Sequence, residues 1–340
     1  MDQIGKDVWY DMITHDDGVV SIGGNTVGII GSMGAGKSTL VREACRQVRY
    51  SDATSIRDAP CKPEGVIYVA RHLDSWLNFF NCGKPIRLFL YAPAVVHLCV
   101  SKGDKLISIN SRLKPFIRYY TTIHNIIENL NVNGINIIYS PPTHEITDTI
   151  ITILNRRIGQ EPPKLGTPCD PALWWFDFIS ILVKTKNAGD HYTIVVDEAH
   201  RLFPPSPSGA WWHLIQDLCE SLVDLRKSNL SFILATHETN MLDYRVVDRL
   251  NFFVWMRGIK PPRRLSIIES NIAGRCQRGQ AIVEERGVRF GRAFTTRNLN
   301  AQPHVRAFSD MLDKNLLNEM LMRDRLIFER TGADVTGDHI

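Results

Sequence analysis

The sequence predicts an α/β fold, a mostly parallel sheet with helices on both faces, followed by a C-terminal β-hairpin and helix. Three observations predict it. Short apolar runs alternate with helical periodicity through most of the 340 residues, the order expected of strands joined by crossover helices. One run, Thr26 to Ile30, turns through glycines directly into a helical pattern that begins at Ser38. Another, Tyr192 to Val196, carries no charge and suits a central strand covered on both faces, yet it stops at Asp197 and Glu198.

Residues 1–25 are polar and punctuated by Asp16-Asp17-Gly18 and Gly23-Gly24, which reads as a lead-in with one short strand at most. The first helix is predicted from Ser38 to Arg49, and Val66 to Ala70 and Ile86 to Tyr91 read as buried strands. Residues 94–133, with Arg112, Lys114, Arg118, Tyr119 and Tyr120, read as an insertion carrying some helix. Ile135 to Tyr139 is the next strand, stopped by Pro141-Pro142, after which Thr143 caps a helix through Ile158. Asp170-Pro171 has the cap-then-proline order of a helix start and leads into a helix bearing Trp174 and Trp175.

From Gly209 to Leu225 the period is 3.6: Trp211, Ile215, Leu218, Leu222 and Leu225 share one side, with His213, Gln216, Asp217, Glu220 and Asp224 away from it. That pattern places a helix on the sheet. Ser231 to Thr236 and Asn251 to Met256 supply two more strands. Gly279 to Thr296 reads as strand, Arg286-Gly287 turn, strand, and Phe308 to Arg330 as a charged amphipathic helix before a loose tail. The chain thus divides into a lead-in at 1–25, a core at 26–257 and an appended hairpin and helix at 258–340.

Composition sets limits on the class of protein. At 44% apolar and 22% charged, with no low-complexity tract, the chain is an ordinary globular one with a sizeable core. Seven cysteines without CxxC pairing argue for a reducing compartment and against a structural zinc site, and the histidines lack ligand spacing. The first residues have no secretory layout, and no apolar run approaches the ~20 residues of a membrane span; even Ala172 to Val183 is short and carries Asp177. The expectation is a cytoplasmic protein, in a host cytoplasm or virion-associated if viral, or one held at a membrane by a partner. A net charge of only +4 leaves any affinity for polyanions to local clustering.

The chemistry begins at Gly31-Ser32-Met33-Gly34-Ala35-Gly36-Lys37-Ser38-Thr39. Gly31, four residues, then Gly36-Lys37-Ser38 is the P-loop spacing, and its flanks, strand before and helix after, are the required ones. Glycines let backbone N–H groups converge on phosphate oxygens, and the helix start adds its own free N–H groups and positive dipole end. Lys37 then neutralises the β- and γ-phosphate oxygens and the Ser38 hydroxyl ligates Mg²⁺. Asp197, at a strand's carboxyl end, is placed to hold the Mg²⁺ shell, and Glu198 to polarise the water that attacks the γ-phosphate. A carboxylate there favours turnover over a timing switch. The P-loop reads phosphates, so ATP is expected without the base being settled.

Asp197-Glu198-Ala199-His200 superficially matches a helicase motif, but the helicase signatures that should accompany it are not visible. The chain instead resembles the HerA–FtsK superfamily of DNA-pumping ATPases and its filamentous-phage Zot-like relatives. The P-loop reads like theirs, the acidic strand runs on as Glu198-Ala-His-Arg-Leu-Phe-Pro204, and Arg226 lies eleven residues before His237 in Arg226-Lys-Ser-Asn-Leu-Ser-Phe-Ile-Leu-Ala-Thr-His237. The resemblance implies a RecA-like, additional-strand P-loop ATPase working as a homo-oligomeric ring, six subunits by family pattern, that hydrolyses ATP with Mg²⁺ to move double-stranded DNA. It further implies that Arg226 reaches a neighbour's γ-phosphate and that His237 occupies the sensor position, where the family has glutamine. For Arg226 the other reading is a helix-end cation, and the magnitudes separate them: a finger arginine contributes ~10³ to 10⁵ in rate, a dipole-offsetting one well under ~1 kcal/mol. For His237 the other reading is a satisfied polar residue.

Residues 257–297 hold ten arginines and lysines, among them Arg286, Arg289 and Arg292, against three glutamates. Such clustering suits a phosphate backbone and equally a basic subunit interface. Trp174-Trp175 and Trp211-Trp212 are able to stack on bases, but beside Leu and Phe at helical positions they read as core. Viral genome packaging and plasmid DNA transfer are the uses that fit a compact pump without its own anchor. Two further functions stay open: a Zot-like virion assembly or export ATPase with a virion or membrane partner, and a regulatory switch NTPase.

Overall fold

The computed structural model of the protein describes residues 25–48, 50–51, 61–71, 79, 84–92, 96–102, 105–108, 115–141, 171–187, 189–207, 210–223, 228–267, 273–286, 289–295 and 305–309. In chain order the elements are β1 (Thr26–Ile30), α1 (Lys37–Gln47), β2 (Tyr50–Ser51), β3 (Cys61–Lys62), β4 (Gly65–Ala70), β5 (Ile86–Tyr91), β6 (Val96–Lys102), β7 (Lys105–Ser108) and β8 (Ile117–Tyr120). They continue with α2 (Ile123–Glu128), β9 (Ile135–Tyr139), α3 (Pro171–Thr185), β10 (Tyr192–Val196), α4 (Ala210–Val223), β11 (Leu230–Thr236), α5 (Tyr244–Val247), β12 (Phe252–Met256), β13 (Gln280–Glu285), β14 (Arg289–Thr295) and β15 (Val305–Ser309).

Ten strands form one sheet in the order β14-β13-β12-β1-β11-β10-β4-β9-β5-β8. Every pairing from β12 to β8 is parallel, and the β13–β14 hairpin adds to the β12 edge antiparallel. The decisive feature is β11, inserted between the strand that leads into the glycine turn and the strand that ends in Asp197. That is the additional-strand arrangement of RecA-like P-loop folds, and the predicted fold class holds.

The strands are rich in Val and Ile, which fit a pleated surface buried on both sides, and their period of two sorts the core into two layers. Val27, Ile29, Val66, Tyr68, Val195, Ile233, Ala235 and Val254 pack with Leu40, Val41, Ala44 and Cys45 of α1 on one face. Ile30, Ile67, Val69, Ile194, Val196, Phe232, Leu234 and Trp255 pack with α3 and α4 on the other. Trp174 and Trp175 belong to that second layer, Trp174 stacked on Phe178 with ring centroids 5.5 Å apart. They are core residues, as their positions predicted. Trp211 packs edge-on against Phe176, whereas Trp212 is exposed beneath the Arg245 guanidinium, 4.7 Å from its ring centre.

The stretch expected as an insertion with some helix contains more strand than that. Ile117–Tyr120 is the edge strand of the main sheet, parallel to β5, with Ile117 and Tyr120 buried and Tyr119 exposed. Only its two ends are buried, Ile117 in one core layer and Tyr120 in the other, and the Arg-Tyr between them hid it. Val96–Lys102 and Lys105–Ser108 pair with each other, and β15 joins them in a separate antiparallel sheet. Phe308 and Ser309, expected to open the last helix, belong instead to β15, because their backbone pairs with β6. The rest of that helix, the lead-in up to residue 24 and the helix expected after Thr143 lie outside the described residues. No helix among the described residues is long and apolar enough to cross a membrane.

Candidate nucleotide-binding site

The site forms where β1, β10 and β11 end side by side, since parallel strands deliver their carboxyl ends to one edge of the sheet. After β1 the chain turns through Gly34 (φ 73°) and Gly36 (φ 102°), left-handed conformations that favour glycine. Gly36 also caps α1 with no side chain bonded to the first-turn amides. Those N–H groups and the dipole end are left for an anion. The turn is held from elsewhere in the chain: Ser32 N–H and Oγ–H both donate to Arg257 O (3.2 and 2.9 Å), and Gly279 N–H donates to Ala35 O at 3.0 Å. Gly258 (φ 82°) lies so close that a Cβ there would sit 2.6 Å from Ser32 Oγ. Met33, at the tip, is 87% exposed.

Lys37 folds back into the turn and is almost wholly buried. Its ammonium donates to Gly31 O at 2.7 Å, to Ser32 O at 3.1 Å and to His237 Nδ1 at 3.0 Å. An ammonium has no lone pair, so Nδ1 of His237 is the acceptor and carries no proton in this arrangement. Burial lowers the Lys37 pKa, countered by the negative charges of Asp197 and Glu198.

Ser38 Oγ–H donates to Asp197 Oδ2 at 2.9 Å, joining the helix start to the end of β10. Two hard oxygens from this pair fit Mg²⁺, which keeps several waters and takes its remaining ligands from phosphates. Among the described residues no group of three or more His, Cys, Asp and Glu side chains is disposed to hold a metal unaided. The donor set therefore suits an ion that arrives with a nucleotide.

Glu198 comes next in a left-handed conformation (φ 56°, ψ 48°), its N–H bonded to Asp197 Oδ1 at 3.0 Å, and begins a short 3₁₀ turn, Ala199–Arg201. Its Oε2 accepts from Arg71, and Arg201 Nε lies 3.1 Å from the same oxygen. His200, on that turn, has its ring 6.1 Å from His237. Burial lowers its pKa, opposed by Glu198 and reinforced by His237, Arg71 and Lys37.

Lys37, Ser38, Asp197, Glu198 and His237 are thus brought to one place from three strand ends. Arg226 lies outside the described residues, between α4 and β11. Arg286 is described and is engaged within the chain, bonding Asp248 O and reaching Asp248 Oδ1 at 3.2 Å. Arg289 and Arg292 stand on β14, paired to Glu285 and Val283 of β13. Six exposed cations lie on the connection leaving β12: Arg257, Lys260, Arg263, Arg264, Arg275 and Arg278. Arg71, Gly258 and Gly279 are site residues that sequence reasoning missed. Arg71 simply succeeds an apolar run, and the run's neighbours in the sheet are not written in the sequence.

Fold and site together define an additional-strand P-loop nucleotide-binding architecture. No protein-family model and no curated protein matches the sequence. Among solved structures the chain is similar to the plasmid coupling protein TrwB in complex with a GTP analogue, at 10% identity and TM-score 0.49, covering 88% of this chain and 94% of that one. It is also similar to the genome packaging NTPase B204 of Sulfolobus turreted icosahedral virus 2 bound to AMP, at 11% identity and TM-score 0.40, covering 77% and 92%. A third likeness is to the N-terminal domain of zonular occludens toxin from Neisseria meningitidis, at 11% identity and TM-score 0.31, covering 86% and 97%. These are distant likenesses of shape.

Proposed function

We propose that this chain is a Mg²⁺-dependent ATPase that works as a ring of identical subunits and moves double-stranded DNA, in viral genome packaging or plasmid transfer. The observation that carries the hydrolytic part is the convergence of Lys37, the Ser38–Asp197 pair and Glu198 at one sheet edge. In this reading the backbone N–H groups of the glycine turn and Lys37 hold the triphosphate, and Ser38 and Asp197 hold the ion, which neutralises charge on the β- and γ-oxygens. Glu198 takes a proton from the attacking water as the bond to the leaving ADP oxygen breaks. His237, at the end of the additional strand, bonds the same ammonium that meets the phosphates, a position from which it senses their arrival and departure.

Support for a polyanionic track comes from the six exposed cations between Arg257 and Arg278, which leave the sheet at its phosphate-binding edge. Support for a ring comes from the Arg226 register. Arg226 precedes His237 by eleven residues, the spacing that in the family the sequence resembles belongs to an arginine acting on a neighbour's phosphates.

The test is steady-state ATP hydrolysis across a protein concentration series, with and without duplex DNA. Turnover per subunit is expected to rise steeply with concentration and with DNA, and Arg226→Ala to reduce it ~10³-fold or more. A monomer fully active at nanomolar concentration and indifferent to DNA would overturn the motor reading and leave a nucleotide-binding protein.

A further inference from the structure

The side chain that the mechanism needs as a proton acceptor is held through one of its oxygens by the chain's own cations. Glu198 Oε2 accepts from Arg71 and has Arg201 Nε at 3.1 Å, so the carboxylate is turned toward the two guanidinium groups, with Oε1 left as its second acceptor. Arg71 is there by sheet register. β4 and β10 run parallel with Val69 opposite Val196, so Arg71 and Glu198, each two residues further on, leave the sheet at the same level.

Two properties make the pairing a switchable contact and not a structural one. Both side chains are 38% exposed, so the ion pair is weak and exchangeable. The surroundings also offer Arg71 a better acceptor once nucleotide is present. Arg71 pairs with Glu198, whose neighbour Asp197 pairs with Ser38 at the start of α1, so it stands beside the cradle that receives the phosphates, and a guanidinium binds a phosphate's oxygens in the same forked geometry as a carboxylate.

We propose that Arg71 is a positioning residue that restrains Glu198 before nucleotide binds and exchanges that carboxylate for the terminal phosphate when a triphosphate arrives. Binding of the substrate thereby frees the base that consumes it. Departure of the phosphate returns Arg71 to Glu198. The inference rests on the ATPase reading above and adds to it a residue that reads diphosphate from triphosphate within one subunit.

The test is equilibrium binding of ADP and of the non-hydrolysable triphosphate AMPPNP, with Mg²⁺, to the full chain and to Glu198→Gln, Arg71→Ala and the double variant. Glu198→Gln removes the competing charge, so it should bind AMPPNP about threefold tighter than the parent with ADP affinity unchanged. Arg71→Ala should weaken AMPPNP about tenfold, spare ADP, and abolish the gain from Glu198→Gln in the double variant. Arg71→Lys, which keeps the charge without the fork, should restore part of the AMPPNP affinity. Additive effects in the cycle, or equal losses for ADP and AMPPNP, would overturn the exchange while leaving the nucleotide site standing. A parent chain that binds neither nucleotide would overturn both readings. Thermal unfolding midpoints of the variants within a few degrees of the parent separate these outcomes from misfolding, as expected for a half-exposed side chain.

Discussion

An ammonium group at the root of a glycine turn must be kept in place before its phosphate arrives, and in this chain an imidazole does part of that work. Lys37 has two carbonyl acceptors and His237 Nδ1 within 3.1 Å. A hydrogen bond to a charged donor is worth roughly 1.5–3 kcal/mol, or about 10- to 100-fold in rate. His237→Ala is expected to lower kcat/KM for ATP by that factor. His237→Gln should stay within about 3-fold of the parent, because a side-chain carbonyl accepts from the same donor. Similar reductions in both would show that the imidazole is needed for something other than acceptance. His200 makes a second residue-scale prediction. Burial holds its folded pKa below the unfolded one, so over the interval between them the unfolded state binds more protons. Stability should therefore fall as pH drops below the unfolded value of about 6.5, and His200→Gln should flatten that part of the profile in urea unfolding across pH 7 to 5.

At the scale of elements, the β12–β13 connection is fixed by a carboxylate. Glu284 is fully buried and accepts from Trp255 Nε1 (2.6 Å), Ser266 Oγ–H (2.5 Å) and Ile267 N–H (2.7 Å). Removing it takes the shared acceptor from two buried donors and one partly buried one, and Glu284→Ala should cost about 3 kcal/mol, read from the urea midpoint. The sequence counts Glu284 among the few acids of a basic stretch and gives no sign of this role, since its partners come from β12 and the following connection, brought to it only by strand pairing. Other elements were legible. Strands β5 and β9 occur at the residues their apolar runs indicate, because hydrophobic runs bounded by turn residues report burial directly. β8 was not, because at the edge of the sheet only its two end residues are buried and the Arg118-Tyr119 pair between them reads as loop. In the site the cradle and the two acids were legible as contiguous motifs. Arg71 and the 257–279 segment were not, because strand order and register bring them there from a distance.

For the molecule as a whole, charge placement decides where a polyanion can run. Arg286 bonds Asp248, whereas Arg263, Arg264, Arg275 and Arg278 are exposed. Each cation withdrawn from a DNA phosphate should reduce the slope of log affinity against log salt by about 0.9. Reversing Arg263 and Arg264 together is expected to reduce that slope by about 2, while Arg286→Glu should chiefly lower stability. An unchanged slope after the double reversal would move the track elsewhere. The bonds that brace the glycine turn carry one last consequence. Ser32 is tied to Arg257 and Ala35 to Gly279, so the glycine turn borrows its shape from chain more than two hundred residues downstream. A fragment ending before Arg257 would keep the whole fingerprint of a nucleotide binder and lack the braces that give that loop its form.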